Sequence, residues 1–235
     1  MRAGTKFACV LLSLLFLAAG CTAQGKPVID SLHAQRDVEL TTDPASPFWR
    51  AARPIYAEVD KRGHILSEYR TEIRTRWTGE NIYFLFICPY KNLNLKPAPD
   101  TAHETNQLWN WNVAEVFIGS DFKDIKRYKE FEVSPHNEWV DLDIDLNKPH
   151  HETGWVWNSG FEHVTRINAA KHNWYVAMKI PFKAIDTRSP VPGNVFRVNL
   201  YRTEGPANES KEIMWQPVMG DSFHMPERFG LLRLK

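Results

Sequence analysis

Val140-Asp141-Leu142-Asp143-Ile144-Asp145-Leu146-Asn147 alternates strictly between apolar and polar residues. Successive side chains of an extended chain point to opposite faces, so this period of two predicts a strand with Val140, Leu142, Ile144 and Leu146 on one side. The simplest reading of Asp141, Asp143 and Asp145 is a solvated strand face. A calcium role for the row stays open because its ligands are hard oxygens, although no loop gathers the roughly six to eight that the ion takes. The same period recurs at Trp174, Val176, Met178 and Ile180, and at Phe196, Val198 and Leu200. Thr71, Ile73, Thr75 and Trp77 lead through Thr78-Gly79-Glu80-Asn81 into the apolar run Ile82 to Ile87, which predicts a hairpin. Pro181 ends a strand, and Phe182-Lys183-Ala184-Ile185 reads as one helical turn at most. Many short strands between turn signals, with hardly any helical period, predict an all-β sandwich or open barrel.

The chain of 235 residues is 43% hydrophobic and 24% charged, a globular composition with ample material for a core. No internal repeat, low-complexity block or linker interrupts it after Lys26, so residues 27–235 read as one domain. Lys and Arg number 29 against 28 Asp and Glu, and no basic run appears. Counterion release then has little to act on, and nucleic acid is not an expected partner.

Arg2 and Lys6 precede an apolar stretch from Phe7 to Ala19, too short for a bilayer span but of the length of a signal-peptide core. It runs into Leu17-Ala18-Ala19-Gly20-Cys21, which resembles the bacterial lipobox. Residues 1–21 are therefore expected to form a lipoprotein signal peptide with its lipobox, and residues 22–26 a polar tether. Cys21 is the expected lipid acceptor; cleavage near Ala23, with Cys21 discarded, is the alternative. Each buried acyl methylene contributes roughly 0.8 kcal/mol, so the membrane would hold the protein through its lipid alone. Thr22 is not the Asp associated with inner-membrane retention, which favours the outer membrane, on either its periplasmic or its surface side. Cys88 alone would remain in the mature domain, inside the apolar run, as an inert buried thiol.

Val113 to Gly119 places Ala114, Val116 and Ile118 on one face and Val113, Glu115 and Phe117 on the other. A carboxylate in such a strand is costly to bury unpaired and needs a cation, donors or a wet cleft. Two accounts of Glu115 stay open: an ion pair with Arg197 or Arg202 of a neighbouring strand, or a position lining a groove. Upstream, Trp109 and Trp111 sit in the polar segment Asn106-Gln107-Leu108-Trp109-Asn110-Trp111-Asn112, where two indoles are hard to explain as core. Both are candidates for ligand contact. Trp155 and Trp157 either line the groove or brace a loop, bracing being the favoured reading, and His136, His150 and His151 read as loop histidines without metal-site spacing.

These segments, in order, resemble the family 9 carbohydrate-binding modules. The landmarks are Pro27-Val28-Ile29-Asp30, Phe48-Trp49-Arg50-Ala51-Ala52, Arg76-Trp77 to Phe86, and Asn112-Val113-Ala114-Glu115-Val116-Phe117-Ile118. Tyr128 to Val133, Trp174 to Phe182, Phe196 to Arg202 and the ending Pro226-Glu227-Arg228-Phe229-Gly230-Leu231 follow. The resemblance implies a single antiparallel β-sandwich, immunoglobulin- or jelly-roll-like and related to the DOMON group, with few short helical turns. It also implies a non-catalytic role holding saccharide chains for partner glycoside hydrolases, without a cofactor. Such modules clamp a chain end between two aromatic rings while a strand glutamate and other polar groups take the hydroxyls. The matching positions are Trp109, Glu115 and Phe223, the last standing where the pattern has Trp. Glu132 replaces a basic residue of the pattern, and Gly220 or Asp221 a loop amide.

Three functional classes follow. The first is a lipid-anchored carbohydrate-binding module with Trp109, Trp111, Glu115, Glu132, Asp221 and Phe223 at its site. The second is a haem-binding electron-transfer domain of the DOMON kind, using Met178 or Met225 with His163 or His224. The third is a glycoside hydrolase with Glu115 and Glu132 as its acid and its nucleophile or base.

Overall fold

The structure, a computed structural model, describes Met1 and residues 25–206 and 208–235. Cys21, the rest of the expected signal peptide after Met1 and the first part of the expected tether lie outside the described residues. Twelve strands follow one another as β1 (Val28–His33), β2 (Ile55–Ala57), β3 (Thr71–Trp77), β4 (Asn81–Pro89), β5 (Ala114–Gly119), β6 (Arg127–Val133), β7 (Trp139–Asp145), β8 (Glu162–Asn168), β9 (Asn173–Pro181), β10 (Val195–Glu204), β11 (Lys211–Met214) and β12 (Gly230–Leu234). Two four-residue helices, α1 (Pro47–Arg50) and α2 (Phe182–Ile185), and several short 3-10 segments complete the described elements.

The strands pair in the order β7-β6-β5-β10-β12-β1-β3-β4-β9-β8, with β11 beside β10 and β2 beside β3. This path curls into two layers, a front sheet from β7 to β1 and a back sheet from β1 to β8. Strand β1 belongs to both: Val28 to Ser31 pair with β12, and Leu32 and His33 pair with β3. The all-β sandwich expected from the alternating segments is what forms, with one correction to its antiparallel pairing. β1 runs parallel to both neighbours. Parallel partners cannot be joined by a tight hairpin, and here they come from opposite ends of the chain or across a long connection.

The layers enclose a core to which the back sheet gives Trp77, Phe84, Phe86, Trp174, Val176 and Met178, and the front sheet Val116, Ile118, Phe131, Val198 and Leu200. Cys88 lies in this core, fully buried, and desolvation pushes its thiol up to about 12. The expected hairpin closes with Trp77 opposite Ile82, where the Thr78 amide donates to the Asn81 carbonyl at 2.9 Å. The outer face of the back sheet, with Tyr83, Leu85 and Ala177, is covered by Trp49. Ser46 caps α1, and the Trp49 indole donates to the Thr41 carbonyl at 2.7 Å.

Among the described residues no second sheet lies over the outer face of the front sheet. Val113, Phe117, Tyr128, Val140, Leu142, Ile144 and Tyr201 cluster there under two loop segments that bring in Leu108, Val218 and Phe229. The apolar row of β7 thus faces this outer cluster, and its aspartates face the other way. Asp141 is not solvated as expected: it is buried and accepts from the Ser159 amide at 2.8 Å and from the Ser159 hydroxyl. The segment of residues 151–156 packs against β7 and makes that side an interior. Asp143 pairs with Lys129 at 2.5 Å and Asp145 with Arg127 at 3.4 Å, so the row is used in three separate structural contacts.

Candidate functional site

Between the two covering loops the front face opens into a cavity of about 380 Å³. Its walls include Trp109, Phe223 and His224 from the loops and Glu115, Phe117, Glu130, Leu142 and Ile144 from β5, β6 and β7. Thr203, Ser210 and Glu212, around β10 and β11, complete the lining.

The Trp109 loop is set by its neighbours. Gln107 takes a left-handed conformation, φ 61°, and starts a 3-10 turn from Leu108 to Asn110. Leu108 is fully buried in the outer cluster, where a leucine side chain contributes about 1.5–3 kcal/mol. Anchoring Leu108 inward leaves the adjacent Trp109 37% exposed on the cavity wall. Asn112 fixes the far end: its side-chain oxygen accepts from the Asn94 amide at 2.7 Å and its amide donates to the Gly205 carbonyl at 3.3 Å. Trp111 is half-buried against the outer cluster and is not among the cavity-lining residues.

The opposite wall is pinned through Asn199 and Tyr201 of β10. Asn199 donates to the Gln216 carbonyl and accepts from the Gln216 amide, at 2.9 and 3.0 Å. The Tyr201 hydroxyl donates to the Phe223 carbonyl at 3.1 Å, and the two rings stack at 4.6 Å with 15° between their planes. His224 stacks on Phe117 at 5.5 Å and shares a 2.5 Å hydrogen bond with the Tyr128 hydroxyl. Asp221 stands outside the cavity lining, in an ion pair with Arg62 at 3.0 Å and near Lys61 at 3.8 Å.

The floor is acidic. Glu115 and Glu132 face each other across β5 and β6, and Glu130 faces Phe117 one pair along the same face. All three are buried, at 1%, 0% and 4% exposure. Glu115 and Glu130 reach the cavity, while Glu132 lies behind its lining. The ion pair considered for Glu115 does not form. Arg202 opposes Ala114 on the inner face and is paired with Glu204, and Arg197 donates to the carbonyls of Asp121, Ile125 and Arg127. Among the described residues no lysine or arginine pairs with any of the three carboxyls. Burial raises all three: Glu130 to about 7, and Glu115 and Glu132 well above the usual range, with repulsion from neighbouring carboxylates adding to desolvation in the latter two.

Six residues were expected at the site, and Trp109, Glu115 and Phe223 meet at one cavity although they come from three distant segments. Glu130, which the sequence did not single out, and His224, which it offered only as a haem partner, join them. Glu130 precedes Glu132 by two and so shares its face, a signal present in Glu130-Phe131-Glu132. His224 gives no such signal, because its partners Phe117 and Tyr128 arrive from other strands. Met178 of the haem reading fills the inter-sheet core, and Met225 packs against the outer cluster.

The family model described as carbohydrate family 9 binding domain-like matches residues 45–235. A carbohydrate-binding module of family 9 from Caldicellulosiruptor kristjanssonii, in complex with cellotriose, superposes with a TM-score of 0.63 at 13% identity, covering 89% of this chain and 94% of the other. The same organism's family 9 module in complex with glucose gives 0.63 at 13%, covering 88% and 95%. A Bacteroides uniformis protein assigned to carbohydrate binding gives 0.69 at 15%, covering 90% and 100%. No curated protein sequence matches the chain significantly.

Proposed function

This chain belongs to the carbohydrate family 9 binding domain-like family, and from that premise we propose that it is a non-catalytic module holding the end of a poly- or oligosaccharide between Trp109 and Phe223. The observation that carries this reading is the convergence of Trp109, Glu115 and Phe223 on one open cavity. Pyranose rings offer C–H faces to aromatic surfaces, and their rim hydroxyls need fixed acceptors, which Glu115 and Glu130 supply. The cavity volume falls in the roughly 300–1,000 Å³ range of small-molecule sites. Because two structural neighbours hold cellotriose and glucose, glucose and cello-oligosaccharides are the first ligands to test.

The wider setting belongs to the same proposal. Export through the apolar segment 7–19 and lipidation at Cys21 would fix the domain to the outer membrane, on its periplasmic or surface face, where it would present glycan to glycoside hydrolases. The support is the lipobox-like Leu17-Ala18-Ala19-Gly20-Cys21. Labelling with radioactive palmitate is expected to mark the wild type and not Cys21→Ala; an unlabelled wild type would remove the anchor.

The binding test is a titration of wild type and Trp109→Ala against a glycan panel, followed by tryptophan emission and heat. At least one glycan is expected to bind the wild type with a Kd between about 1 μM and 1 mM, and Trp109→Ala to lose most of that affinity while keeping its melting temperature. No response from the wild type to any glycan overturns the proposal. Release of reducing sugar during the incubation would show catalysis instead of holding.

A further inference from the structure

We propose that Glu115, Glu130 and Glu132 form a site for one divalent cation of the calcium type at the floor of the cavity. The first observation is the spacing: one carboxylate oxygen from each lies within 4.8 Å of the others. Calcium–oxygen bonds of about 2.3–2.6 Å allow ligand atoms on opposite sides of the ion to stand about that far apart.

The second observation is the state of the oxygens themselves. Glu115 Oε1, Glu130 Oε2 and both oxygens of Glu132 are sealed from solvent and meet no hydrogen-bond donor. Glu132 is fully buried, and as a carboxylate it has no partner of any kind except the other two acids. The nearby hydroxyls are committed to other partners: Tyr201 donates to the Phe223 carbonyl, and Tyr128 is engaged with His224. Buried polar groups are otherwise almost always satisfied, so four orphaned acceptors on three neighbouring carboxyls call for a shared positive partner.

A cation meets that requirement better than protons do. Three protons would neutralise the charge but would still leave more acceptor oxygens than donors. A single calcium ion binds three carboxylates directly, in one- or two-oxygen mode, through the flexible all-oxygen set it prefers. Magnesium demands shorter bonds of about 2.0–2.1 Å and near-octahedral angles, and usually keeps several waters, which a carboxylate set sealed on one side does not favour. Entry is available because Glu115 and Glu130 lie on the cavity wall, and Glu212 on the same wall adds negative charge at the approach. Coordination positions that the carboxylates leave free would face the cavity and take water. This site does not depend on the saccharide reading, since the test contains no sugar.

The experiment is calorimetric titration of the metal-stripped full chain with calcium chloride, and separately magnesium chloride, with thermal unfolding in chelator and in calcium. One calcium per chain is expected, with a Kd near or below about 1 mM and a raised melting temperature, and weaker binding of magnesium. Glu132→Gln and Glu130→Gln are each expected to weaken calcium binding at least tenfold, while Glu80→Gln, an exposed acid in a remote turn, leaves it unchanged. Absence of saturable calcium binding in the folded wild type, with equal melting in chelator and calcium, overturns the proposal. So does calcium binding that both glutamine variants retain at full strength, which would locate the ion elsewhere. If one glutamine variant fails to fold, the other and the wild-type titration still decide.

Discussion

Glu115 on β5 and Glu132 on β6 are direct cross-strand partners, two carboxyls set opposite each other in an antiparallel ladder and both buried. Like-charged residues so placed destabilise a sheet, and burial removes the water that would screen them. Their position on the outer face of the front sheet, which loops cover only in part, connects this local conflict to the cavity.

In the presence of a chelator, Glu132→Gln is therefore expected to melt higher than the wild type. Glutamine keeps the shape, removes one buried charge and brings N–H donors to Glu115 and Glu130. A gain of about 1 kcal/mol would raise the midpoint by about 2–4 °C in a domain of this size. Thermal unfolding followed by circular dichroism reads it. A lower midpoint would mean that the acid form of Glu132 makes contacts an amide cannot replace.

Gly230 opens β12, the strand between β10 and β1 that helps join the two layers. A Cβ at this position would collide with the Trp215 ring and come within 2.9 Å of the Pro27 carbonyl oxygen. Gly230→Ala is expected to lower stability by about 1–3 kcal/mol, the usual cost of overpacking. The measurement is the urea midpoint. An unchanged midpoint would show that the indole can swing away without loss.

Much of the fold was readable because alternation is local. The pairs Val140/Leu142 and Val176/Met178 announced strands and the residues sharing each face, and Thr78 to Asn81 announced the turn. What alternation does not carry is which layer covers a face. Asp141 looked solvated because the segment that buries it, around Ser159, lies on another stretch of chain. The parallel pairing of β1 was hidden for the same reason, since it depends on where the C-terminal strand docks. At the site, Glu115 stood out by breaking an apolar pattern, and the missing counter-ion became visible only when register placed Arg202 on the opposite face.

Asp37 offers a check by pH. Its carboxylate accepts hydrogen bonds from Asn81 Nδ2 at 2.9 Å, from the Tyr83 hydroxyl at 2.8 Å and from the Thr78 hydroxyl. Partial desolvation pushes the group up, but the three donors outweigh it and hold it below the ordinary aspartate value. A group lowered on folding adds stability above its unfolded pKa and loses it as pH falls through the folded value. Asp37→Asn is therefore expected to be less stable than wild type at pH 7, by about 1 kcal/mol once solvent screening of an exposed carboxylate is allowed for. The difference should shrink steadily below about pH 4. Denaturant midpoints at pH 7, 5 and 3 test this, and a gap that stays constant with pH would assign the loss to shape alone.

Phe223 presents a different balance, because one of its faces is already spent on Tyr201. What remains of the ring borders the cavity across from Trp109, so truncation removes a wall while Leu108, Tyr201 and Phe229 still hold the loops down. Phe223→Ala is expected to weaken binding of whichever glycan the wild type takes by about tenfold, or about 1.4 kcal/mol. Phe223→Trp enlarges the same surface and is expected to match or exceed wild-type affinity. Calorimetric titration of both variants, with melting curves to verify folding, separates the possibilities. Equal affinity for Phe223→Ala and wild type, with the fold intact, would shift the second wall of the clamp from Phe223 to His224, the other loop residue on that side.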